Sequence, residues 1–268
     1  MKSIYHIIEV MRMNETTIIV HKKIKMKKPV LVEGLPGIGL VGKLAVDHLI
    51  REKKALKVAT LYSPHFPHQV IMRKSGVLRM IRLKFYRIPG PKNDLLLLAG
   101  DVQPLTSEAQ YEVNGKILDY FARRGGQWII TLGGYGTGKR AEFPKVFGAA
   151  THKKDIEKYS KLGVVFGETR GSIVGAAGLL LGLGRIRHMH GVCLMGETHG
   201  GYVDPKSAVG VLECLGKLVG MKFDTAALTK KAAMGEKFIK KMEARAAAQA
   251  GAGEGIKPAG SDELSYIR

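Results

Sequence analysis

Three stretches of this chain carry residue types at spacings that chemistry uses. Gly37-x-Gly39-x-x-Gly42 matches the glycine pattern that brings a dinucleotide pyrophosphate against a helix start. Gly133-x4-Gly138-Lys139 matches the first half of a phosphate-binding loop. His188 and His190 stand two apart with His199 further on, and alternate histidines on a strand can share a metal. Each pattern lacks a part. The dinucleotide pattern needs an acid at the end of the next strand, but Lys57–Phe66 ends in none and Glu52 comes too early, inside the helix. Arg140 stands where the phosphate loop needs a hydroxyl for magnesium, and Pro144 disfavours the helix that should follow. Among acids, only Glu197 lies near the histidines, while His65 and His68 belong to a proline-held loop.

Nucleophilic catalysis is no better supplied. Gly171-Ser172-Ile173 lacks the frame of a serine elbow. Asp101, Gln103, Thr131, Glu168 and Glu197 could line a pocket, several of them just after strand ends, where α/β sheets hold ligands. None is spaced as an acid/base pair. An enzyme is possible, but the residues name no nucleophile, and no cofactor and no metal are expected.

The elements that would position these residues are organised around Leu31–Ile50. A short β-branched strand ending at Glu33 meets the turn Gly34, Pro36, Gly37. Gly34, Gly37, Gly39 and Gly42 form a structural glycine turn that lets a helix begin almost against the strand end. Val41, Leu44, Ala45 and Leu49 give that helix its stripe, and Leu40, Val46 and Ile50 spread apolar surface round the rest, as for a helix buried on more than one side. Further strands are expected at Thr17–Val20, Lys57–Tyr62, Asp94–Ala99, Trp128–Leu132, Val146–Ala150, Gly163–Phe166 and His190–Gly196. A hairpin is expected with arms Val70–Met72 and Val77–Tyr86, and a loop over Gly133–Pro144. Helices are expected after Thr106 or Ser107, with Gln110 at capping-box spacing from Ser107; over His152–Ser160; over Ser172–Arg187; after the Asp204 cap; and over Thr229–Ala250. Strands alternating with helices predict an α/β three-layer sandwich on a mixed, mostly parallel central sheet.

Composition bounds the partners. The chain has 268 residues, a net charge of +20 and two cysteines in apolar surroundings, which suits buried thiols in a reducing compartment. The basic residues are dispersed and not interleaved with aromatics, so a basic solvated surface is expected rather than a nucleic-acid site. The longest uncharged apolar run, Gly171–Gly184, is too short to span a bilayer, and a cytoplasmic location with no membrane partner is expected. Gly171, Gly175, Gly178, Gly182 and Gly184 stripe one helix and, with Leu31–Ile50, predict packing between subunits.

Four stretches taken together resemble the archaeal proteasome assembly chaperone family: EGLPGIGLVGKLAVDHLI (33–50), the run from Leu95 to Gly138, GSIVGAAGLLLGLG (171–184), and LMGETHGGYVDPKSAVGVLECLGKLVG (194–220). The resemblance covers roughly residues 30–225. It implies a phosphorylase-like sandwich without catalytic residues that forms homo-oligomers, with or without a paralogue. It also implies a role in assembling the proteasome core particle by binding α-type subunits, some members docking on the α-ring through a C-terminal tail. The division implied is a body over 1–225, a basic helix over 226–250, and a linker with a docking peptide over 251–268. Leu264, Tyr266, Ile267 and Arg268 would be the partner-binding residues. The family's tail ends hydrophobic–tyrosine–any residue; here Tyr266 is third from the end, a register shift of one. Two rivals are an enzyme on a nucleoside-phosphorylase-like fold, using Asp101 and Glu197, and a basic nucleic-acid binder.

Overall fold

The computed structural model describes residues 14–167 and 171–237. In chain order the elements are β1 (Thr17–Val20), β2 (Val30–Gly34), α1 (Val41–Glu52), β3 (Leu56–Tyr62), β4 (Val70–Met72), β5 (Leu78–Met80), β6 (Leu83–Ile88), β7 (Leu95–Gly100), α2 (Ser107–Ala122), β8 (Trp128–Gly136), β9 (Val146–Ala150), α3 (Ile156–Ser160), β10 (Val164–Val165), α4 (Ala176–Ile186), β11 (His190–Thr198) and α5 (Pro205–Val219). Nine strands form one sheet in the order β1-β3-β6-β7-β2-β8-β11-β9-β10. Its four central strands, β7, β2, β8 and β11, are parallel; β6, β3 and β1 add antiparallel in turn on one side, and on the other β9 is antiparallel to β11 with β10 parallel to β9. The architecture is the expected α/β sandwich.

Side-chain alternation sorts the core into two halves. Leu31, Leu96, Leu98, Ile129, Cys193 and Met195 face one way, where Val113, Ile117 and Phe121 of α2 and Leu180 of α4 cover them. Val30, Val32, Leu95, Leu97, Ile130, Leu132, Val192 and Leu194 face the other, under Val41, Ala45 and Leu49 of α1 and Val211, Leu212 and Leu215 of α5. A strand covered on both faces needs no polar side, which is why β7 is a leucine run with no exposed residue. The all-round apolar character of α1 has the same cause: it packs on both the sheet and α5.

Three expected boundaries shift, and one choice between two helix caps is decided. The strand expected over Val77–Tyr86 is two: β5 pairs with β4 in a separate small sheet, and β6 turns away into the main one. The loop expected from Gly133 is strand as far as Gly136, because β11 runs beside it in parallel register to Thr198. The helix expected from Ser172 begins at Ala176, after Gly175 at φ +82°. At α2 the cap is Thr106, whose side chain accepts from the Ala109 N–H, while Gln110 turns instead to the Pro104 carbonyl.

Two compact units divide the chain, one ending at Thr229 and the other beginning at Lys230. Of the second, residues 230–237 are described and are helical. The remainder of the expected basic helix, and all of 251–268 with Leu264, Tyr266, Ile267 and Arg268, lie outside the described residues.

The glycine turn sets how close α1 comes to the sheet. A Cβ on Gly42 would sit 2.0 Å from the Leu132 carbonyl oxygen, and one on Gly34 would sit 2.3 Å from the Gly42 oxygen. Both obstacles are backbone and cannot swing aside. Gly39 adopts φ +60°, with Thr198 Oγ1 2.9 Å from where its Cβ would lie, whereas Gly37 faces open space. Gly42→Ala should therefore cost about 3 kcal/mol or more of folding stability, and Gly37→Ala should stay within about 0.5 kcal/mol of the parent, both read from urea unfolding midpoints.

Candidate functional site

The residues with chemical potential do not assemble as the sequence patterns would have it. In a dinucleotide fold β3 would lie beside β2; here it pairs with β1 and β6, and both β6 and β7 lie between it and β2. Gly133, Gly134 and Gly136 are strand residues, and no helix follows Lys139, so the second pattern is not a phosphate loop. Asp101 follows β7 and Glu197 lies on β11, three inter-strand steps or roughly 14 Å apart. Each has a structural partner. Burial raises the Asp101 pKa, but the Arg79 fork and the Arg82 N–H outweigh it and hold the carboxyl below its usual range. Glu197 accepts from the Lys145 N–H. The acid/base pair of the enzymatic rival is therefore not brought together.

The histidines also regroup. His188 is exposed at φ +58°, and His199 stacks on Tyr202. His190 instead meets His152 and Asp155, with ligand-capable atoms within 4.8 Å of one another. Its Nδ1 lies 2.9 Å from Asp155 Oδ2, and its ring stacks on that of His152, whose Nδ1 is 2.8 Å from Thr151 Oγ1. Sequence spacing could not show this cluster, because His152 reaches His190 only through the pairing of β9 with β11.

What the fold does build is a cavity of about 490 Å³ at the carboxyl ends of β2, β8 and β11, where parallel sheets receive ligands. Glu33, Gly133 and Met195 form its floor. Gln103, Gln110, Ile173, Gly175, Ala177 and Ile38 also line it. Gln103 braces the walls: its Nε2 donates to the Pro36 carbonyl at 2.7 Å, and its Oε1 accepts from the Ala176 N–H at 2.8 Å. The turn after β2 is thus tied to the start of α4. Of the pocket residues expected from sequence, Gln103 lines this cavity, Thr131 pairs in register with Glu33 without lining it, and Glu168 falls outside the described residues.

Glu33 is the residue that sequence reading passed over. It sits 1% exposed at the end of a central strand, in register with Thr131, which is in turn in register with Cys193. Its Oε1 accepts from the Leu35 N–H at 2.8 Å, while Oε2 is buried without a partner. Desolvation pushes its pKa up to about 8, against a lesser lowering by the Leu35 N–H. Burial likewise pushes the Cys193 thiol up to about 12. The available signal was one acid in an otherwise apolar central strand: a charged residue there is either paired or neutral.

An α/β sandwich with a glycine-locked first helix, a cavity at its parallel strand ends, and its acids held apart is the class of protein these features define. The PAC2 family model matches residues 31–243, and the chain belongs to that family. An uncharacterized protein of Methanocaldococcus jannaschii is 38% identical over 258 residues, covering 93% of this chain and 97% of its own length. The crystal structure of Pyrococcus furiosus PbaB, described as an archaeal proteasome activator, superposes with a TM-score of 0.82 at 43% identity, over 86% of this chain and all (100%) of that one. Pyrococcus furiosus PbaA, described as an archaeal homologue of proteasome-assembly chaperone, gives a TM-score of 0.73 at 26% identity, over 88% of this chain and 95% of that one. Among the described residues no helix is long and apolar enough to cross a membrane.

Glu33 makes stability depend on pH in a defined direction. The folded protein keeps the Glu33 proton up to about pH 8, whereas the unfolded chain releases it near the ordinary value of 4.5. Between these values the unfolded state binds fewer protons, so this group's contribution falls as pH rises, by up to about 1.4 kcal/mol per pH unit. Glu33→Gln should remove that decline. Urea unfolding of both proteins across this window would show it, and parallel pH profiles would contradict it.

Proposed function

We propose that this chain is a non-enzymatic partner of the proteasome core particle that assists its assembly, binds α-type subunits, and reaches the α-ring with its C-terminal tail. The observation that carries this reading is the likeness to PbaA, described as a homologue of proteasome-assembly chaperone, joined by the likeness to PbaB over the full length of that structure. The separation of Asp101 from Glu197 supports a role without catalysis. A second reading is activation of the assembled particle, favoured because the likeness to PbaB, described as an activator, is the stronger of the two. Purified α- and β-type subunits mixed with and without the protein separate the two. Faster appearance of core particle on native gels indicates assembly, and faster peptide hydrolysis by preassembled particle indicates activation. Neither effect would refute both readings.

The protein works in the cytoplasm as a homo-oligomer, alone or with a paralogue. The described surface bears on where subunits meet. The helices from which packing was expected spend most of their apolar surface internally: Val41, Ala45, Leu49, Leu180 and Leu181 are buried in the monomer. The small β4–β5 sheet instead exposes Val70, Met72, Leu78 and Met80, each 50% or more. Light scattering at micromolar concentration should give a mass above 29.2 kDa, and a mass of one chain would overturn the oligomer.

The tail is the second part of the reading. On this reading Ala250–Glu263, small, polar and glycine- and proline-bearing in composition, serves as the linker. It presents Leu264, Tyr266, Ile267 and the Arg268 carboxylate to pockets between α-type subunits. One tail binds weakly because it must be ordered, and several on one oligomer add through effective concentration. Deleting Tyr266–Arg268 should weaken binding to the α-ring about tenfold or more while leaving the oligomer mass unchanged. Equal binding by the truncated protein would place the contact on the body.

A further inference from the structure

We propose that the cavity at the carboxyl ends of β2, β8 and β11 is a binding site for a small uncharged ligand with an amide or lactam edge, received by the carboxyl of Glu33. This goes beyond the proteasome reading and does not depend on it.

The site is built rather than incidental. Its volume, about 490 Å³, is in the range of small-molecule sites. It is open because Gly133 has no side chain: a Cβ there would find only Met195 Cγ, at 4.0 Å, within contact range, and would project into the void. Ile38, Tyr135, Ile173 and Met195 supply an apolar wall. Among the lining residues Glu33, itself 1% exposed, carries a carboxyl oxygen, Oε2, that is buried without a hydrogen-bond partner. Of the other polar side chains in the lining, Ser172 and Tyr135 offer hydroxyls, and the two amides are already used. Gln103 bonds Pro36, Ala176 and Gln110; Gln110 bonds Pro104 and accepts from Asn114. An unmet acid in a cavity braced by satisfied amides has the form of a recognition group, because a buried polar atom without a partner destabilises the fold by about 1–3 kcal/mol.

The chemistry of Glu33 selects the ligand. Burial holds the carboxyl neutral up to about pH 8. No Lys, Arg or His lines the cavity among the described residues; the other titratable groups facing it are Cys193 on β11 and Tyr135 on β8. A neutral carboxyl is both donor and acceptor. Oε2–H donates to a ligand carbonyl, while Oε1, which has a second lone pair beyond the one used by Leu35, accepts the adjacent ligand N–H. A cis amide edge presents that pair. A cation would require Glu33 to ionise, and an anion would meet no counter-charge among the described lining residues.

Benzamide, benzamidine and benzoate share one ring and differ in charge, so they test the assignment directly on the full chain by calorimetry or by chemical-shift perturbation. Well below pH 8, benzamide should bind with Kd of about 1 mM, typical of so small a fragment, and at least about tenfold more tightly than either charged analogue. Its affinity should decline as pH passes about 8. Glu33→Gln, which offers a donor and an acceptor without titrating, should keep binding and lose the pH dependence. Gly133→Val, which fills the floor, should abolish binding while circular dichroism and the thermal midpoint show a folded protein. Absence of benzamide binding, preference for benzamidine, or binding undiminished in Gly133→Val would each overturn the proposal.

Discussion

The structure rests on one close contact: the first turn of α1 lies against the middle of β8 at a distance that only glycine permits. Gly42 touches the Leu132 carbonyl, and Gly34 at the end of β2 touches Gly42. Three backbones are thereby locked at the centre of the sheet with no side chain between them. That approach brings Val41, Ala45 and Leu49 down onto Ile130, Leu132 and Val192. It also strains the chain. Gly39 sits at φ +60° and Leu40 at φ +50°, a left-handed leucine that costs about 1–2 kcal/mol. The turn is held from two other loops: Gln103 donates to the Pro36 carbonyl, and the Asp204 N–H donates to the Gly39 carbonyl. Asp204 also caps α5, so the partner helix of α1 starts from the same anchor.

The cavity is a consequence of that arrangement. Parallel strands that end together leave a crevice beyond their carboxyl ends, and the loops after β2 and β7 wall it. Glycine at 133 keeps the floor low, while Glu33 is carried into it by the strand that the glycine contact has fixed. A carboxyl in that position cannot be hydrated, and no cation reaches it among the described residues, so it stays protonated. Asp101, by contrast, lies just past a strand end within reach of Arg79 and remains an ion. The two acids end neighbouring strands and differ in state because one has a guanidinium beside it and the other does not.

Membership of the PAC2 family and the likeness to PbaB and PbaA place the body among α/β sandwiches whose described relatives include an activator and a chaperone homologue. A body of this kind contributes rigidity and area: a nine-stranded sheet covered on both faces, with apolar side chains left exposed on the β4–β5 sheet. The net charge of +20 acts over that surface at longer range, favouring encounter with an acidic partner face without selecting one.

Much of the local structure is legible in the sequence because it depends on neighbours along the chain. The Pro205 start after Asp204, the stripe Ala109, Val113, Ile117 and Phe121, and the leucine run of β7 are set by periodicity and capping. The resemblance of the four motifs is legible for the same reason. The break at Ile81 and the extension of β8 through Gly136 are not, because each is decided by which strand lies alongside. Strand order likewise decides that β3 is no neighbour of β2, that His190 meets His152, and that Asp101 and Glu197 stay apart. Glu33 marks the division most clearly. Its sequence shows an acid at the end of an apolar strand, while its neutrality and its place in the cavity floor follow from burial on the central strand of a sheet, a property of strand partners distant in the chain rather than of residues beside it.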